Sequence, residues 1–373
     1  MNLYFSHHIF STQDVGGISR YFVELARELV QETRELPNFS IKILSPIFVN
    51  AYLSEFPSSI VIGKRVPFPK RGRRLLAGIN QAISIPYFTT KKGIYHETYY
   101  DGFAALLASK SSIARVTTVH DCIHEIFPHH FSRRDRTSKL KKASIERADL
   151  IFCVSHSTKS DLIHYFDVNP EKIRVIHLGL TPMLPSSPQL TAEEKIADRP
   201  YFLFVGNRGL YKNGRRLMLA FARSQAKREG MSLVFFGGEP PSFEEQQWII
   251  SNDLEKQIIF VQGDDEKLAK YYQSATAFVF PSLYEGFGLP LLEAMSAGCP
   301  VICSNTSSFP EVARDAALYF DPIHVDAITF ALDRFLNDSS LKDRLVQKGF
   351  ENVKDFTWRK CAQLTLSAYH ELI

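Results

Sequence analysis

Two carboxylates, Glu285 and Glu293, stand eight residues apart in the string Tyr284-Glu285-Gly286-Phe287-Gly288-Leu289-Pro290-Leu291-Leu292-Glu293-Ala294-Met295. The apolar run Ala277-Phe278-Val279-Phe280 before them reads as a buried strand. Pro290 suits the first turn of a helix, and Gly298-Cys299-Pro300 ends it. The turn between, Gly286, Phe287, Gly288 and Leu289, offers backbone N–H groups at a positive helix end, where phosphate binds well. Glu285 lies in the turn and can reach a sugar hydroxyl. Glu293 lies about one helical turn further in, within reach of ribose hydroxyls. The spacing fits a ligand with phosphate in the middle and hydroxyl-rich groups on both sides.

Other segments of similar chemistry close other apolar runs. Arg208 and Lys212 lie four apart in Val205-Gly206-Asn207-Arg208-Gly209-Leu210-Tyr211-Lys212-Asn213. A guanidinium that binds bidentately beside a compact ammonium suits a diphosphate. Gly16-Gly17 opens a helical pattern and lets backbone come close to a phosphate. His120-Asp121 follows Val116-Thr117-Thr118-Val119. His120 reads either as a hydrogen-bonded strand cap or as a polar group at a site, and Asp121 either orients it or caps the next segment. His124, His129 and His130 follow without companion cysteines or spaced carboxylates, so no metal site is expected.

The strings carry a resemblance to a known family. Pro281 to Gly298 resembles the E-x7-E element of retaining glycosyltransferases of family 4, and Gly16 to Phe22 matches the G-G-I-S-R-Y-F element of one branch. Val205 to Asn213 is similar to that branch's V-G-x-R-x-x-Y-K-N element. The resemblance implies the α/β GT-B fold: two Rossmann-like doubly wound domains facing an interdomain cleft. It implies that Gly16 and Gly17 line the donor diphosphate and that His120 lies against the donor sugar. Glu285 joins His120 as the catalytic pair, and Arg208 and Lys212 stabilise the leaving group. Gly286, Phe287, Gly288, Leu289 and Glu293 complete the donor contacts. Gln262, Gly263 and Leu268 fall where the family holds the nucleobase, with Val261 and Gly263 exchanged relative to the usual Gly-x-Val. The branch resembles bacterial-type polysaccharide mannosyltransferases, which implies GDP-mannose or a GDP-deoxyhexose as donor and a glycan or lipid-linked hydroxyl as acceptor. A UDP- or dTDP-sugar is the alternative donor, and a non-catalytic nucleotide-sugar-binding scaffold on a membrane surface is the rival class.

The elements that must position these residues alternate between strand-like and helix-like over most of the 373 residues, the pattern of parallel sheets with helical crossovers. Expected strands centre on Leu3–Phe5, Ile41–Leu44, Val116–Val119, Leu150–Val154 and Ile173–Ile176, and then on Tyr201–Val205, Ser232–Phe236, Ile258–Val261, Ala277–Phe280 and Val301–Cys303. Helices are expected over Ile18–Val30 and Ser157–Phe166, the latter capped by Ser155 or Ser157. The expected domains are residues 1–180 on the acceptor side and 201–357 on the nucleotide-sugar side. A proline-punctuated linker, 181–200, joins them, and a helix over 358–373 returns to the first.

Composition narrows the classes. Hydrophobic residues make 45% and charged residues 23%, as in a water-soluble globular protein. No apolar run approaches the roughly 18 residues of a membrane span. Met1 to His8 lacks a basic lead, and the five cysteines lack metal-ligand spacing. A cytoplasmic location and no cofactor or metal are therefore expected. The net charge of +4 is uneven, with six cations among the thirteen residues from Lys64 to Leu76. That segment reads as a solvated loop or as a contact for anionic lipid on the inner face of a membrane. Nucleic-acid binding is not expected, since no binding motif accompanies it.

Overall fold

The computed structural model describes residues 1–36, 38–69, 72–88, 92–100, 113–183 and 199–372. The chain forms two compact units, Met1–Gly179 with Trp358–Ile373, and Leu180–Thr357. Residues 184–198, most of the expected linker, lie outside the described residues.

The first unit holds a seven-stranded parallel sheet: β1 (Asn2–Phe5), β2 (Ser40–Phe48), β3 (Val61–Arg65), β4 (Gly93–Glu97), β5 (Ile113–Val119), β6 (Leu150–Cys153) and β7 (Ile173–Val175), in the order β3-β2-β1-β4-β5-β6-β7. The second unit holds a six-stranded parallel sheet: β8 (Tyr201–Val205), β9 (Ser232–Phe236), β10 (Ile258–Val261), β11 (Ala277–Phe280), β12 (Val301–Ser304) and β13 (Ala317–Phe320), in the order β10-β9-β8-β11-β12-β13. Both are doubly wound, as expected. Strands buried on both faces carry unbroken apolar runs, such as Leu-Ile-Phe-Cys in β6 and Ala-Phe-Val-Phe in β11.

Three strands escaped the sequence reading. β3 exposes four of its five residues at the sheet edge, β4 (Gly-Ile-Tyr-His-Glu) ends in buried polar groups, and β13 (Ala-Leu-Tyr-Phe) is an edge strand with Tyr319 partly exposed. None offers the long apolar run that marks a central strand. The helix Gly17–Glu32 packs beside Trp358–His370, and Arg359 donates to Glu32 at 2.9 Å. Tyr369 is fully buried, 2.6 Å from His96 Nδ1 through its hydroxyl. Ser155 caps His156–Phe166 by accepting from the Thr158 N–H at 3.0 Å.

In doubly wound sheets, ligands bind beyond the carboxyl ends of the strands where the strand order reverses direction. That point lies between β1 and β4 in the first unit and between β8 and β11 in the second.

Candidate functional site

In the second unit, the loops after β8 and β11 meet at the switch point. Leu283 N–H donates to Tyr211 O at 2.7 Å. Asn213, 4% exposed, bridges the Pro281 and Pro322 carbonyls at 3.0 and 2.9 Å. This stitching sets Lys212 Nζ 2.6 Å from Glu285 Oε1 and 5.2 Å from the centre of the Phe280 ring. Ser282 Oγ donates to the same carboxylate oxygen at 2.7 Å, and Ser307 Oγ accepts from the Glu285 N–H at 3.1 Å. Ser308 Oγ donates to the Glu285 and Phe287 carbonyls at 2.9 and 2.7 Å. The carboxylate at the turn is thus paired, braced and mostly buried.

Gly288 is the residue before the helix Leu289–Ser296, with φ at +102°. An added Cβ would lie 3.0 Å from the Phe309 ring, so both conformation and space favour glycine. No side chain caps this helix; Pro290 has no N–H and the Leu291 N–H donates to Gly288 O at 3.0 Å, so its first turn offers the Leu289 N–H. Glu293 lies one turn in and accepts from the Tyr272 hydroxyl at 3.4 Å. Burial and the Glu293 charge hold that hydroxyl well above the usual phenol range.

Arg208 and Lys212 face different carboxylates. Arg208 is 6% exposed and donates from Nε and Nη2 to the two oxygens of Glu245, both at 3.2 Å. Its guanidinium lies 4.6 Å from the Phe260 ring centre and 5.7 Å from that of Phe235, and Nη1 has no hydrogen-bond partner. Glu245 belongs to the capping box that starts the helix Phe243–Ser251. Its pKa is lowered because the guanidinium and the Ser242 N–H outweigh the cost of burial. The spacing of two cations could not show this, because Glu245 lies 37 residues from Arg208.

Gln262 and Gly263 follow β10. Gln262 Nε2 donates to the Gly238 carbonyl at 2.6 Å, and Lys267 Nζ donates to Gln262 O at 3.1 Å. Leu268 is buried in the helix Asp265–Ser274.

In the first unit, Gly16 precedes the helix Gly17–Glu32, and a Cβ on Gly17 would meet open space. Four residues on, Tyr21 packs edge-on against His120, ring centres 5.3 Å apart, with Phe22 at 6.0 Å. The glycine turn and His120 therefore share one neighbourhood. His120 Nε2 has no hydrogen-bond partner, so the strand-cap reading fails at that nitrogen. Burial pulls the His120 pKa down to about 4, with the Lys141 charge adding to it and Asp121 opposing. The imidazole is neutral at physiological pH. Asp121 accepts from the Ile123 N–H at 3.1 Å, the capping alternative. Lys141 was not legible from sequence. It is fully buried, donates to Asp121 O at 2.8 Å and pairs with Glu125 at 2.6 Å.

Residues 15–182 match the family described as Glycosyltransferase Family 4, and residues 187–352 match that described as glycosyl transferases group 1. The chain is 30% identical to O-antigen chain mannosyltransferase B of Escherichia coli, over 97% of this chain and 98% of that one. It is 27% identical to MMP alpha-(1->4)-mannosyltransferase of Mycolicibacterium hassiacum, over 91% and 84%. Among solved structures it resembles sucrose-phosphate synthase from Thermosynechococcus elongatus, with a TM-score of 0.77 and 22% identity over 100% and 98% of the two chains. HepE from Anabaena in complex with UDP gives a TM-score of 0.71 at 14% identity over 99% of each.

Proposed function

The chain belongs to glycosyltransferase family 4, with the GT-B fold, and from that premise we propose that it moves a hexose, mannose foremost, from a GDP-linked donor with retention of configuration. The observation that carries this reading is Lys212 held 2.6 Å from Glu285 beside the uncapped helix after Gly288. A diphosphate seated there meets a cation and the N–H of Leu289 at the helix start, and the neighbouring carboxylate can take a sugar hydroxyl. As the bond from C1 to the phosphate oxygen breaks, negative charge grows on the leaving phosphate. A cation fixed nearby favours that state over the ground state. The acceptor oxygen bonds C1 on the face the leaving group departs, and its proton passes to the departing phosphate oxygen. Within the first unit, neutral His120 can give a hydrogen bond to a sugar hydroxyl and the Gly16–Gly17 turn can take a phosphate. Glu293 takes the ribose, and Gln262 with Gly263 borders the base.

The acceptor is the hydroxyl of a glycan or lipid-linked saccharide. No helix among the described residues is long and apolar enough to cross a membrane. Lys64 and Arg65 are exposed, and the helix Arg73–Phe88 exposes Leu75, Ile79 and Ile83 at 66%, 40% and 53%. Exposed cations and an exposed apolar stripe, each by itself, suit the surface of an anionic bilayer. Arg73 is withdrawn from that role: it pairs with Asp14 and donates to Thr12 O at 2.9 Å. Lys70 and Arg71 lie outside the described residues.

The test is turnover of GDP-mannose, GDP-fucose, UDP-glucose and dTDP-rhamnose with a mannan-type primer, with and without excess EDTA. Anomeric configuration is read by NMR. The expected result is an axial mannoside from GDP-mannose, formed equally with and without chelator. Transfer from a UDP-sugar alone, an inverted product, or activity that needs added Mn²⁺ would each overturn the corresponding part. Sedimentation with anionic vesicles at low salt checks the membrane part, and no binding would remove it.

A further inference from the structure

Strand β13 closes one end of the second unit's sheet, and its outer edge is open. Leu318 and Phe320 are in register with Ile302 and Ser304, and the Asn305 N–H donates to Phe320 O at 2.9 Å. Successive residues of a strand turn their backbone groups to opposite sides. Leu318 and Phe320 therefore face β12, while Ala317 and Tyr319 face away from the sheet. Among the described residues no hydrogen bond reaches the N–H or C=O of either one. The turn that starts β13 is braced. Arg314 there takes φ +50° and ψ −125°, a conformation rare outside glycine. Its guanidinium pairs with Asp355 and lies 5.2 Å from the Phe356 ring centre, and the Tyr319 hydroxyl donates to its carbonyl. Strain of this kind persists where neighbours hold it, and it gathers at ligand-holding positions.

A groove of about 540 Å³ lies against this edge. Its other wall is the helix Ser339–Asn352, which lends it Leu341, Arg344, Leu345 and Lys348 at the spacing of one helical face. Leu341 and Leu345 are buried, as is Leu318 across from them, so the floor is apolar. The charges are one-sided. Lys348 pairs with Asp315, but Arg344 and Arg334, the latter from the helix Val325–Asn337, are exposed, and neither is in an ion pair among the described residues. Asp338 caps the helix through the Ser340 N–H at 3.1 Å and feels the Arg344 charge without pairing to it.

Each part has a match in one kind of partner. An extended polypeptide brings N–H and C=O groups to an open strand edge, and its alternate side chains enter the flanking pockets. Arg344 and Lys348 are four residues apart, about 6 Å along the helix axis. Same-face residues of an extended chain are spaced similarly, at roughly 6.6–6.8 Å. We infer that the β13 edge docks an extended acidic segment of a partner protein, its backbone paired to Ala317 and Tyr319 and its carboxylates on Arg334 and Arg344. A second copy of this chain is disfavoured there, because it would set the same cations against each other. A bare polyanion would leave the outward backbone groups unused. The edge lies two strands beyond β11, so docking there is independent of the donor chemistry proposed above.

Fluorescence anisotropy of a labelled Glu-Val-Glu-Val-Glu-Val peptide with the full chain, at about 0.15 M salt, measures the docking. Saturable binding is expected, with none for Lys-Val-Lys-Val-Lys-Val. Arg334→Glu and Arg344→Glu should each weaken it at least about tenfold, with Tm and turnover as in the wild type. Arg344→Gln serves if the charge reversal disturbs the helix start at Asp338. Amide hydrogen exchange at Ala317 and Tyr319 should slow when the peptide is added, while Leu318 and Phe320, already bonded to β12, stay unchanged. The same peptide N-methylated at every amide keeps its carboxylates and loses its N–H groups, so it should not bind. Four outcomes would overturn the inference: no saturable binding, equal binding of the N-methylated peptide, undiminished binding in both charge variants, or unchanged exchange at Ala317 and Tyr319. Displacement of the peptide by tripolyphosphate or poly(U) at lower concentration than by unlabelled peptide would also overturn it, making the groove a polyanion site.

Discussion

The two switch points follow one topological rule and are furnished differently. At β8 and β11 the loops are short and stitched by backbone and asparagine hydrogen bonds. The charged groups there, Lys212 and Glu285, are already in contact. At β1 and β4 the walls come from separate helices and leave an open cavity with aromatic and guanidinium lining. A prearranged ion pair beside a helix start meets charge at a defined point, which is what a departing diphosphate needs. The cavity at β1 and β4 has its guanidinium groups exposed instead of held in such a pair. The sheet determines where each ligand can sit; the loops determine which ligand it is.

That contrast is broken most directly at Lys212. Lys212→Ala removes the cation whose partner charge grows in the transition state, so kcat should fall about 10²–10³-fold. The donor KM should change much less. Steady-state kinetics with saturating acceptor check this, and near-wild-type turnover would remove the diphosphate from the β8–β11 loops.

Arg208 sharpens the same contrast within one loop. With its guanidinium on Glu245 and two phenylalanine rings, it anchors the segment that carries Lys212, and Gly214 N–H holds Arg208 O at 2.9 Å. Arg208→Ala and Glu245→Gln should therefore lower kcat/KM through one shared contact. The double variant should be no worse than the poorer single, with a coupling of about 0.5–3 kcal/mol. A direct phosphate contact predicts the opposite pattern. In that case Glu245→Gln leaves kcat/KM intact or improves it, while Arg208→Ala alone is severe.

The legible parts of the molecule were those written in consecutive residues. Val205 to Asn213 and Pro281 to Gly298 each run from strand through turn into helix, so one stretch contains both the site and the element that aims it. The cavity between β1 and β4 draws on residues 8, 78, 99, 134 and 136, which share no spacing and meet only through the sheet order. The partners of legible residues were hidden for the same reason. Glu245 holds Arg208 from another helix, Lys141 reaches the loop of His120 from 20 residues away, and Ser307 braces Glu285 from beyond β12. Edge strand β3 failed to show because a strand exposed on most positions has no reason to be apolar.

Glu293 tests a smaller contribution in the second unit. Its ribose contact would be much the same before and during reaction, so Glu293→Ala should raise donor KM about tenfold and spare kcat. A collapse of kcat with unchanged KM would place Glu293 at the reacting centre instead.

The smallest effect separates the units themselves. His8, His96 and His120, whose pKa values burial lowers to about 4, about 3 and about 4, all belong to the first unit. An unfolded histidine titrates near 6.5. Between about pH 6.5 and pH 4 the unfolded chain therefore binds more protons than the folded one, and stability falls as pH falls through that window. At pH 6 each histidine contributes under about 1 kcal/mol of this loss. The chain has two tryptophans, Trp358 in the first unit and Trp248 in the second, so Trp248→Phe and Trp358→Phe each leave one reporter. Thermal melts followed by fluorescence at pH 7.5, 6.5 and 5.5 should show the Trp358 transition moving down by several degrees. The Trp248 transition should move less. Equal shifts at both reporters would mean that the acid sensitivity is shared by the two units rather than carried by the buried histidines of the first.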